Sequence, residues 1–111
     1  MATPDFSHVT SLAQAEELAR GGQLEKLLLL PAVFGGADIP PNTVYVPVGI
    51  GDVKRRIDEQ TVAPLVRDGV VTQYAATPQY ARDSFIPTTI TVVASNPGSF
   101  TATINVWETA G

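Results

Sequence analysis

Two stretches near the C-terminus alternate apolar and polar residues, and that period of two constrains the fold more than any other feature of the chain. Ile90, Val92 and Ala94 share one side of an extended segment, while Thr89, Thr91 and Val93 share the other. Further on, Phe100, Ala102, Ile104 and Val106 oppose Thr101, Thr103, Asn105 and Trp107. Paired as a hairpin, the segments bring apolar to apolar only when Val92 faces Ala102 and Ile90 faces Ile104. Ser95 then stands across from Ser99, with an odd loop around Asn96-Pro97-Gly98. Any one-residue slip would set Thr91 beside Ile104 and mix the faces.

Val70–Thr77 shares this β-favouring composition, so Val70–Thr77, Phe85–Ser95 and Ser99–Trp107 read as a three-stranded antiparallel meander. Upstream, Ser11 opens a helix with Gln14 at capping-box spacing. Leu12, Ala15, Leu18 and Ala19 keep helical spacing, and Gly21-Gly22 stops it. Gln23–Leu30, closed by Pro31, is expected to be a strand buried on both faces near its end. Residues 31–42 are dense in Gly and Pro and form a loop. Thr43–Val48 alternates as a strand, and Pro47 demotes its far end to a sheet edge.

Asp52 is placed as the cap of a second helix, whose Val53, Ile57, Thr61 and Leu65 form a core-facing stripe. Pro64 removes a backbone donor within this pattern, so the helix kinks or restarts there and Val62 and Val66 can turn inward. The order αββαβββ predicts an α+β fold, mostly antiparallel sheet with two helices packed on one face. No composition shift marks a linker, so residues 1–111 read as a single α+β domain with 1–10 as a loose N-terminal arm.

Charge narrows the partners. Seven basic and eleven acidic side chains leave a net −4, without the basic footprint that binds nucleic acid or an anionic membrane surface. The absence of cysteine excludes a disulfide scaffold and thiol chemistry. The longest apolar run, Leu27 to Phe34, is eight residues and contains Pro31, too short to span a bilayer. The first residues lack the pattern of a signal peptide, and a cytoplasmic location is the expectation.

Candidate chemistry is sparse. His8, the one histidine, falls in the arm, and no nucleophile elbow accompanies it. One His and no Cys argue against a transition-metal site, and no cofactor fingerprint occurs. Asp52/Arg56, Lys54/Asp58 and Arg55/Glu59 are spaced as i,i+4 ion pairs on an outward helix face. Competing with that reading, Gly49, Gly51, Lys54, Arg55 and Arg56 collect free N–H groups and cations at a strand-to-helix turn, where an anion could sit. The 31–42 loop is long enough to be functional.

The hairpin register places Thr89, Thr91, Thr101, Thr103, Asn105 and Trp107 on the face away from the core. There Trp107 would need cover from the arm, a second copy or a protein partner. The primary expectation is a non-catalytic binding or assembly module acting through this polar sheet face or the 31–42 loop, its partner being a protein or itself as a homodimer. The alternative is a small enzyme or ligand carrier that binds an anionic small molecule at Gly49–Arg56.

Overall fold

Helix α1 (Leu12–Arg20) begins and ends where its signals lie. Ser11 Oγ accepts from the Gln14 N–H at 3.2 Å, and Gln14 Oε1 accepts from the Thr10 N–H at 2.8 Å. Gly22 takes φ +83° at the far end, which lets the Gln23 N–H reach back to the Leu18 carbonyl at 3.0 Å. The computed structural model of the protein describes residues 6–81 and 83–109.

Strand β1 (Leu24–Leu28) pairs antiparallel with β2 (Thr43–Pro47), Leu24 opposite Pro47 and Leu28 opposite Thr43. The leucine run is therefore a strand, as expected. It is not buried on both faces: only Leu24 is buried, whereas β2 is buried from Val44 to Pro47. The intervening loop holds two short 3₁₀ turns, Ala32–Phe34 and Pro40–Asn42. Asn42 fixes its path, accepting from the Leu30 N–H and donating to the Leu30 and Ala37 carbonyls, all within 3.0 Å. A Cβ on Gly36 would lie 1.7 Å from the Leu30 oxygen, so only glycine fits that close approach.

The second helical segment comprises α2 (Ile50–Arg56), a π-helical stretch over Ile57–Val62, and α3 (Ala63–Arg67). Gly49, not Asp52, is its N-cap, at φ +108°. The α-helix restarts at Ala63 with Pro64 in its first turn, as expected, and the winding just before it widens, the Ala63 N–H donating to the Asp58 carbonyl five residues back. This wider winding also changes which side chains face inward. The expected stripe of Val53, Ile57, Thr61 and Leu65 is displaced by Ile50, Lys54, Asp58 and Val62, and Thr61 is exposed. Four-residue steps drift about 40° apiece on an ideal α-helix, and a π turn rotates the chain back, bringing Val62 over the same face as Ile50.

Strands β3 (Val71–Gln79), β4 (Thr89–Pro97) and β5 (Ser99–Asn105) form a separate antiparallel sheet in that order. The expected register holds, with Ile90 opposite Ile104, Val92 opposite Ala102 and Ser95 opposite Ser99. Asn96-Pro97, at the end of β4, is a cis bond. The protein is thus α+β, with the predicted element order distributed over two antiparallel sheets.

Apolar residues from these elements form two adjoining clusters. One gathers Val9, Leu24, Val46, Ile50, Ile86, Ile90, Ile104 and Val106. The other gathers Val62, Val71, Val92 and Ala94, with Ile57 and Ala76 packed against both. Within the expected arm, residues 1–5 lie outside the described residues. Val9 is fully buried, and its carbonyl accepts from the Phe85 N–H at 2.6 Å. Among the described residues no helix is long and apolar enough to cross a membrane.

Candidate functional site

One face of the β3–β4–β5 sheet packs on the core; the other is a grid of four rows. Its rows run Gln73–Ser95–Ser99, Ala75–Val93–Thr101, Thr77–Thr91–Thr103 and Gln79–Thr89–Asn105. None of these side chains is buried. Gln79 Oε1 accepts from the hydroxyls of Thr89 and Thr91, which ties one end of the grid together. Near the other end Gln73, Ala75, Val93 and Ser95 line a shallow depression of about 400 Å³. No residue of β3, β4 or β5 is charged, in a chain where 16% of residues are. Strand propensity explains the threonines. It does not explain why exposed positions lack the lysines and glutamates that usually solvate a sheet and blunt its edges.

The structure brings Thr89, Thr91, Thr101, Thr103 and Asn105 together on this face but removes Trp107 from it. The chain leaves the strand at Asn105 and turns into a short helix, α4 (Val106–Thr109). There the Val106 N–H donates to the Thr88 carbonyl at 2.9 Å and Val106 is fully buried. That turn ends the alternation, so Trp107 swings under the N-terminal segment and meets Phe6 edge-on at 5.8 Å. The cover that the tryptophan required is intramolecular.

The strand-to-helix turn is engaged from within. Glu25 on β1 accepts from the Gly49 N–H at 2.7 Å and from the Gly51 N–H at 3.4 Å. Arg55 and Arg56 both pair with Asp52, Arg56 at 2.6 Å. Lys54 is not beside them; it points into the core on the opposite side of α2. Gly49 and Gly51 thus share an acidic partner from the same chain.

Lys54 and Asp58 correct the expected outward ladder, with side chains only 1% and 3% exposed. Lys54 Nζ donates to Asp58 Oδ2 at 2.7 Å and to the Tyr74 hydroxyl at 2.8 Å, and that hydroxyl donates to Asp58 Oδ1 at 2.6 Å. The ring closes on itself and joins the helical segment to β3. Phe34, from the 31–42 loop, packs against Tyr74 in a tilted arrangement, ring centroids 5.3 Å apart. With Lys54 and Asp58 buried and Tyr74 half-buried, these groups satisfy one another and act as a polar clamp behind the neutral grid. The sequence signal for them was the spacing of Ile50, Lys54, Asp58 and Val62, apolar residues flanking two opposite charges that neutralise each other.

Burial pulls the Lys54 ammonium below its ordinary value of 10.5, with Asp58 partly opposing that shift. Burial, reinforced by the adjacent carboxylate, pushes the Tyr74 hydroxyl well above its ordinary 10.0. The two act oppositely on stability. As pH rises to 10.5 the unfolded chain keeps its Lys54 proton longer than the native one, so the penalty of burying that charge is relieved. Above 10.0 the unfolded chain loses its Tyr74 proton while the native one keeps it, so stability falls. Above pH 10.5, of these two groups only Tyr74 still lowers stability as the pH rises. Urea unfolding at several alkaline pH values should therefore show a steeper loss in the wild type than in Tyr74→Phe. Equal slopes would mean that Tyr74 is not held in this ring.

His8 is exposed on the rim of a cleft of about 430 Å³ against α1, and its imidazole makes no hydrogen bond among the described residues. Among the same residues no three His, Asp or Glu side chains cluster as metal ligands. The sequence matches no protein-family model and no curated protein, and the fold matches no solved structure.

Proposed function

We propose that the protein is a non-catalytic binding module of the cytoplasm that engages a protein partner through the outer face of the β3–β4–β5 sheet. The observation that carries this reading is the charge-free grid. Covering a charge strands it away from water at a cost of several kcal/mol unless a partner charge meets it. Threonine hydroxyls and amides cost far less to cover, and their methyls and Val93 offer apolar area. Interface centres are depleted in charge for the same reason. The sheet is also rigidly backed, by Ile90, Val92 and Ala94 and by the Lys54–Asp58–Tyr74 clamp. The 31–42 loop supports the face indirectly, through Phe34 on Tyr74.

The test is a photo-crosslinking residue placed at Val93 in cells that naturally make the protein. A discrete protein adduct should form, and it should vanish when Thr77→Lys and Thr103→Lys put charge on the grid. No adduct, or an equal one from a crosslinker at exposed Glu59 on the helix, would refute the proposal.

A further inference from the structure

We propose that β5 is a pairing edge for a second copy of this chain, which joins the two three-stranded sheets into one of six strands. Among the described residues no other strand or helix runs along the outer side of β5. No hydrogen bond from another element reaches Ser99–Asn105 on that side either. An open edge of this kind presents a row of unpaired backbone donors and acceptors, and proteins ordinarily guard it with charge or proline. The other edge strands carry such guards: Glu25 and Lys26 in β1, Pro47 in β2 and Pro78 in β3. Strand β5, Ser-Phe-Thr-Ala-Thr-Ile-Asn, has neither.

Its sequence is also complementary to itself. Run antiparallel to its copy about a two-fold axis at Ala102, the strand places Phe100 opposite the partner's Ile104 on the core side. On the outer side Thr101 meets the partner's Thr103 and Ser99 meets the partner's Asn105. Such an axis stands normal to the sheet, so both neutral grids stay on one surface and merge. The pairings match apolar with apolar and polar with polar, as sheets favour. Two chains of net charge −4 repel, and β5 lets them meet where neither carries charge. The inference is independent of the protein partner proposed above, since a six-stranded sheet forms whether or not its face is covered.

Light scattering and sedimentation of the full chain at high micromolar concentration test it. The wild type should have twice the 11.7 kDa chain mass. Thr101→Lys combined with Thr103→Lys sets lysines against lysines across the axis and should raise the dissociation constant roughly 100-fold or more. Thr101→Lys combined with Thr103→Glu sets lysine against glutamate and should restore the dimer. Both positions are exposed, so far-UV spectra should be unchanged. Val93→Lys, on the central strand, should leave the dimer intact. A wild-type monomer, or a dimer broken equally by Val93→Lys, would overturn the proposal, the latter pointing to stacking of faces instead.

Discussion

Lys54→Ala is expected to destabilise the protein by about 3–5 kcal/mol in urea unfolding, among the largest effects available from a single side chain. The reason is asymmetric. The Asp58 side chain lies 2.7 Å from the ammonium and 2.6 Å from the Tyr74 hydroxyl, with almost no access to water. Removing the ammonium strands the Asp58 charge in the core and deletes the aliphatic stem packed there. Replacing both ends with apolar residues, Lys54→Met with Asp58→Leu, removes the stranded charge, and the double variant should recover most of the loss or exceed the wild type. A surface pair behaves otherwise: its members contribute 0–1 kcal/mol and their changes nearly add. If Lys54→Ala cost no more than such a pair, the side chain would lie outward as an ordinary member of a helix ladder.

Ile90→Ala is expected to cost about 2–5 kcal/mol, whereas Val93→Lys, three residues along the same strand, should cost no more than about 1 kcal/mol. Ile90 is fully buried, opposite Ile104 on β5, and belongs to the cluster that also holds Val9, Val46 and Val106. Truncation there leaves a cavity bounded by elements that cannot all close on it. Val93 lies on the outer face with 37% of its surface exposed, and a lysine stem can lie along the neighbouring threonines with its ammonium in water. Thermal unfolding of the two variants separates the faces directly. Comparable losses would mean that the grid is covered within the chain and is not available to a partner.

The two-faced sheet was legible in the sequence because its information is local and repeats. Three pairs of alternating residues leave one register that segregates apolar from polar, and Ile90 meets Ile104 as that logic requires. Helix α1 was legible for a similar reason, since Ser11, Gln14 and Gly22 each satisfy a backbone need within a few residues.

What depended on tertiary structure involved partners distant in sequence. Tyr74 lies sixteen residues beyond Asp58 and on another element, and an i,i+4 Lys–Asp pair is equally common on a helix surface, so the flanking Ile50 and Val62 permit a buried pair without deciding for it. The π turn that brings Val62 onto their face depends on packing as much as on Pro64. Glu25 closes the Gly49–Gly51 turn from twenty-four residues upstream, and helix propensity pointed instead to Asp52. Trp107 shares strand parity with Asn105, which predicted an open-face position. The pull of Val106 into the core, completed by the Thr88 carbonyl, ended the strand and carried the indole to Phe6. Periodicity assigns a side chain to a face only while the element continues, and where β5 stops is decided by the rest of the core.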